Sequence, residues 1–102
     1  MYLISFLLPT FDNDNHHIAR DEFDRVRREL TDHFGGVTAF MQSPATGLWA
    51  DEEGVVRHDE LVSFEVMTDN LDRAWWRDYR EQLGKRFRQQ QIVMRAISFE
   101  PL

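Results

Sequence analysis

The run Phe34-Gly35-Gly36-Val37-Thr38-Ala39-Phe40, followed shortly by Gly47-Leu48-Trp49, limits what this chain can fold into more than any other segment. It closes an amphipathic helix and opens a strand. Glycine takes positive φ without steric cost, so Gly35 can end the helix in the left-handed region and Gly36 can loosen the exit. The β-branched and aromatic residues that follow favour an extended chain. A phosphate cradle also uses paired glycines, but it opens a helix, and these close one.

The flanking patterns supply the other elements. Tyr2 to Leu8 is almost continuously apolar and bounded by Pro9, the pattern of a central strand covered on both faces. From Ala19 to Phe34, Phe23, Val26, Leu30 and Phe34 recur at spacings of three, four and four, a helical stripe. Asp21 with Arg25, Asp24 with Arg28 and, later, Glu81 with Lys85 stand at the spacing that supports a helix by a few tenths of a kcal/mol. Val37 to Met41 predicts a strand, which Ser43 to Gly47 breaks and Leu48 to Ala50 resumes. Asp51-Glu52-Glu53-Gly54 then turns the chain, Val55 to Arg57 returns, and Leu61 to Met67 forms a long strand. Asp69 or Asn70 is placed to cap a second helix, with Asp72 in its first turn. That helix is expected to bury Leu71, Trp75, Tyr79, Leu83 and Phe87, to leave Trp76 at the edge of its stripe, and to end on the basic Lys85, Arg86 and Arg88. Gln91 to Phe99 is the last strand.

The order strand, helix, strand, strand, helix, strand predicts one α+β domain over residues 1–102, a ferredoxin-like βαββαβ sandwich with two helices on one face of an antiparallel sheet. Right-handed crossovers place its strands in the order fourth, first, third, second. The other sheet face then has no helix over it. If Val62, Phe64 and Val66 face the helices, Leu61, Ser63, Glu65 and Met67 point the other way. From the last strand either Ile92, Met94 and Ala96 or Val93, Arg95, Ile97 and Phe99 join them, the charge on Arg95 favouring the second set, with Leu3, Ser5 and Leu7 between if the first strand is in matching register. So apolar a face marks an interface or a ligand groove.

Composition narrows the classes. The 102 residues are 42% hydrophobic and 13% aromatic, enough for one core. With no cysteine there is no disulfide and no thiolate chemistry, which fits a reducing cytoplasm. The opening segment lacks a basic leader, and no apolar run approaches the roughly 20 residues of a membrane-spanning helix. A net charge of −6 argues against nucleic acid as a partner. Acid gathers at Asp51, Glu52, Glu53, Asp59 and Glu60, and base at Arg73, Arg77, Arg80, Lys85, Arg86, Arg88 and Arg95, a polarity that favours self-association or simply two solvated faces.

Taken together, FGGVTAF, SPATGLW, EVM, DRAWWRDYR and RFRQQQIVMRA resemble a family of small bacterial proteins of unknown function. The resemblance runs from Phe23 to Ala96; it implies the same sandwich and brings no catalytic residue. The architecture is also similar to that of the dimeric α+β barrel proteins, which pair two open sheet faces around a cavity and include cofactor-free monooxygenases and isomerases.

Four constellations carry possible chemistry. Glu65 and Arg95, two strands apart across Ser5 and with Ser63 nearby, are placed either to form an ion pair or to flank a small polar ligand. Asp12, Asp14, His16 and His17 offer oxygen and imidazole donors in one loop, but at a spacing that matches no metal motif, so no metal is expected. Trp75, Trp76, Arg77, Tyr79, Arg80, Arg86 and Arg88 put aromatics beside arginine, as single-strand binders do, though core packing explains them as well. Thr38, Ser43, Thr46, His33 and His58 are scattered hydroxyls and imidazoles with no orienting third group, and His33 suits the helix dipole. Two functional readings follow. One is a non-catalytic binding or assembly domain that dimerises through the open face. The other is a cofactor-free small-molecule enzyme with a pocket on that face.

Overall fold

The computed structural model describes residues 1–36, 38–50 and 56–102. Its elements run β1 (Tyr2–Pro9), α1 (Arg20–Phe34), β2 (Thr38–Ala50), β3 (Val56–Thr68), α2 (Arg73–Arg86) and β4 (Met94–Ser98). The strands form one antiparallel sheet in the order β2-β3-β1-β4. This is the ferredoxin-like α+β sandwich that the periodicities predict.

Alternation along β1 decides which side of the sheet becomes core. Ile4, Phe6 and Leu8 are buried, and their register partners Val66, Phe64 and Val62 on β3 are buried with them. Phe6 and Phe64 stand directly opposite and stack with centroids 5.2 Å apart and planes 6° from parallel. Phe23, Val26 and Leu30 of α1 and Trp76, Tyr79 and Leu83 of α2 close over this row, joined by Phe87 and Ile92. No polar or charged residue is buried among those described. Each large apolar side chain so placed is worth about 1.5–3 kcal/mol over its exposed state. The far face, with Leu3, Ser5 and Leu7 only half-buried, has no helix over it, so β1 is not covered on both sides as its composition suggests.

Several boundaries differ from the sequence expectation, each for a local reason. Strand β2 is not broken at Ser43 to Gly47; it continues, and its register against β3 shifts between Phe40 and Ala45. Pro44 lies in that irregularity, on an edge strand, where its missing N–H costs no ladder bond. Arg57 and Leu61 belong to one strand, β3, which outruns β1: Pro9 pairs with Leu61, and beyond it β3 pairs with β2 alone. The turn expected at Asp51 to Gly54, with Val37 and Val55, lies outside the described residues. Helix α2 is capped by neither Asp69 nor Asn70. Asp72 takes that position, its Oδ1 accepting from the Trp75 N–H at 3.1 Å. Strand β4 is shorter than Gln91 to Phe99 because Ile92 drops into the core.

The two tryptophans are exchanged relative to expectation. Trp76 is 5% exposed and packs on Phe34 and Phe6, whereas Trp75 is half-buried at the rim. Counted from the actual helix start, Trp76, Tyr79, Leu83 and Phe87 recur at three, four and four, the same stripe as in α1. The ion pairs also differ. Asp24 pairs with Arg27 rather than Arg28, and Arg25 meets Glu29 at 3.8 Å rather than Asp21.

Gly35 ends α1 at φ 81°, and its N–H reaches the Thr31 carbonyl at 2.8 Å, a left-handed helix stop. A side chain at Gly35 or Gly36 would meet no atom within 4 Å, so only backbone conformation distinguishes them. Gly35→Ala is expected to lower stability by about 1 kcal/mol, and Gly36→Ala to change it by less than about 0.5 kcal/mol. Urea denaturation midpoints check this; equal losses at both positions would contradict the assignment of the stop to Gly35.

Candidate functional site

On the uncovered face the sheet register builds rows three strands wide. In the middle row Ser5 of β1 pairs with Glu65 on one side and Arg95 on the other. In the next, Leu3 lies between Met67 and Ile97. In the third, Leu7 faces Ser63, and its N–H donates to the Val93 carbonyl at 3.2 Å. Ser5, Ser63, Glu65 and Arg95, singled out from the sequence, therefore share one shallow depression of 340 Å³ with apolar walls. Arg95 donates from Nε to the Ser5 hydroxyl at 3.2 Å. Among the described residues no ion pair joins it to Glu65. Two strand spacings, about 10 Å, separate those residues, and the serine is nearer. The row thus presents a carboxylate, a hydroxyl and a guanidinium in line. Met67, Val93 and Ile97 around it are 61%, 52% and 51% exposed, large apolar groups left facing solvent.

The acidic loop after β1 folds around Asp12. Its Oδ1 accepts from the backbone N–H groups of Asp14 and His16, both at 2.9 Å, which, with the His16 contact first, holds the carboxyl below the usual range. Oδ2 faces His16 Nδ1 at 3.7 Å and Arg88 Nη1 at 3.6 Å. Arg88, at φ 52° past the end of α2, also accepts the Asn13 N–H on its carbonyl. Asp12, Asp14 and His16 place one donor atom each within 4.8 Å of the others. The turn and its contact with α2 account for that gathering.

Trp75 stacks on His33 at 4.3 Å and on Tyr79 at 5.0 Å, so His33 packs an aromatic ring as well as standing in the last turn of α1. Beside them Arg86 forks onto Glu29 with contacts of 2.6 and 3.0 Å. The Tyr79 hydroxyl donates to the same carboxylate at 3.1 Å, and the Arg86 guanidinium lies 5.6 Å from the Tyr79 ring centre. This network joins α1 to α2. Residues 57 apart in sequence carry no pairwise signal, and Arg86 reads only as part of a basic helix end. The side chains of Thr38, Ser43, Thr46 and His58, and of the acids at 51–53, 59 and 60, lie outside the described residues. Among the described residues, no helix is long and apolar enough to cross a membrane.

Comparison with known proteins supports the architecture. No family model and no curated protein matches the sequence. A solved structure, a phage SAM lyase in complex with S-methyl-5'-thioadenosine, superposes with a TM-score of 0.67 over 94% of this chain and 79% of that one, at 8% identity. At that identity the likeness is one of fold.

Burial, and next the charge of Glu29, push the Tyr79 phenol well above the usual tyrosine range. In the unfolded chain the phenol ionises near pH 10, while the folded one keeps its proton, so unfolding releases a proton above that pH. The Tyr79 contribution is therefore full below about pH 10 and lost as pH rises beyond it. Melting temperatures measured from pH 9 to 11 are expected to fall more steeply for the native chain than for Tyr79→Phe; parallel slopes would remove the linkage.

Proposed function

We propose that the domain is a non-catalytic binding and assembly unit that pairs with a second copy of itself through the open sheet face. The observation that carries this reading is the middle row, with acid and base at opposite ends of a central serine. A twofold axis near Ser5 sets Glu65 against the partner's Arg95 twice, while the Met67, Leu3 and Ile97 rows bury one another. Isologous contacts of this self-complementary kind are the commonest in soluble oligomers. Burying Met67, Val93 and Ile97 also removes large exposed apolar groups from water.

A second reading, a cofactor-free small-molecule enzyme, draws on the 340 Å³ depression, whose polar groups two paired faces enclose together. The fold shared with a phage SAM lyase bound to S-methyl-5'-thioadenosine is compatible with it. There Glu65 serves as acid or base and Arg95 as the anchor for an anionic group.

Analytical ultracentrifugation separates these ideas from a monomeric domain. The native chain is expected to sediment as a dimer at micromolar concentration, and Ile97→Asp as a monomer with its melting temperature little changed. Glu65→Arg and Arg95→Glu are each expected to weaken the dimer at least tenfold, and the double variant E65R/R95E to regain it. A native chain that stays monomeric at all concentrations sinks the assembly reading. A dimer indifferent to the charge reversals moves the interface elsewhere.

A further inference from the structure

Helix α2 meets the helix dipole differently from α1, with its acid in the Asp72 cap rather than in the first turn. The amino end of a helix is electropositive and favours acids, and α1 opens with Asp21 and Glu22. Helix α2 has no acid in its first turn and begins with Arg73. Arg77 and Arg80 follow on the same face, at the spacings that bring helical side chains together. Arg25, Arg27, Arg86 and Arg88 each meet a carboxylate; among the described residues Arg73, Arg77 and Arg80 meet none, and of the other arginines Arg20, Arg28 and Arg95 also meet none. Arg73 stands at the positive pole of the helix with Arg77 and Arg80 one and two turns further on, and like charges at these spacings repel one another and so work against the stability of the free protein.

Those arginines line a groove of 230 Å³ between α2 and the edge strand β4, with Ile4, Trp76 and Met94 also lining it. Trp76 is 5% exposed, and its indole N–H has no acceptor among the described residues. The groove thus joins a cationic rim, an aromatic wall and the amino end of a helix. It lies on the helical side of the sheet, apart from the face proposed to dimerise; of the residues lining the two, Arg95 alone is shared.

We infer that this groove binds a small phosphomonoester. A phosphate group carries up to two charges and three terminal oxygens, and guanidinium groups meet such oxygens with paired N–H donors. Helix amino ends accept phosphate for the same electrostatic reason. A groove of this volume has room for a phosphate with a short organic stem lying against Trp76.

Isothermal titration of the full chain with glycerol 2-phosphate and with inorganic pyrophosphate, at fixed ionic strength, tests this. One saturable site is expected, weakened at least tenfold by Arg77→Gln, less by the charge-preserving Arg77→Lys, and not by Arg20→Gln on α1. Arg73→Glu is expected to abolish binding while raising the melting temperature of the free protein. Lowered melting temperature in that variant would assign the arginines a structural role and overturn the proposal. So would the absence of heat with both probes, or binding undiminished in R77Q/R80Q. Affinity that grows with the length of a single-stranded oligonucleotide, or self-association lost in Arg77→Gln, would give the groove to a polymer or to the acidic segment of a second copy instead.

Discussion

The stacked pair Phe6 and Phe64 is the contact on which the rest of the structure depends. The two rings sit opposite one another on the central strands, so their stacking requires the Phe6 to Phe64 register and no other. A slip of one residue would turn Ile4, Phe6 and Leu8 toward solvent and bring Leu3, Ser5 and Leu7 beneath the helices. Both helices close over this pair: Trp76 and Tyr79 of α2 reach Phe6, and Phe23 of α1 packs on Phe87 just beyond. Once both helices are spent on one side of the sheet, the other side is left without cover.

The helices are fastened to each other at a second level. Glu29, Arg86 and Tyr79 form a charge-assisted bridge on the outer side of the aromatic cluster, where partial exposure keeps the cost of burying charge modest. This bridge restricts how far α2 can turn about its axis. With that rotation set, Trp76 faces inward, Trp75 covers the rim, and Arg73, Arg77 and Arg80 project along the groove beside β4. Tyr79, whose phenol is pushed well above the usual tyrosine range, belongs to this fastening. Its shift follows from burial and a neighbouring carboxylate.

Among the described residues the open sheet face and the groove beside β4 are both left uncovered, and their chemistry differs. The open sheet face is apolar with one acid and one base arranged symmetrically about Ser5, which suits a like surface. The groove between α2 and β4 is cationic and aromatic, and suits an anion with an apolar stem. They lie on opposite sides of the sheet and share Arg95 at its edge.

Element order and the stripe of α1 were legible because they follow from local periodicity, and strand order because crossovers are right-handed. Phe23, Val26 and Leu30 point to one side of a helix whatever lies opposite, and the alternation through Val62, Phe64 and Val66 divides the sheet into two faces before any partner strand is known. Gly35 likewise marks a helix end through backbone sterics alone. Ser5, Ser63, Glu65 and Arg95 could be placed on one face by the same counting. Their actual partners could not: Arg95 reaching Ser5 rather than Glu65 depends on distances across two strands, and Glu29 meeting Arg86 depends on how two helices pack. The exchange of Trp75 and Trp76 has the same origin, since both stand one turn before Tyr79 and the packing of Phe6 and Phe34 decides which of them is covered. Local sterics and hydrophobic spacing act over a few residues and can be read along the chain; the phase of a helix, the partner of a charge and the existence of the arginine groove are set only when separate elements meet.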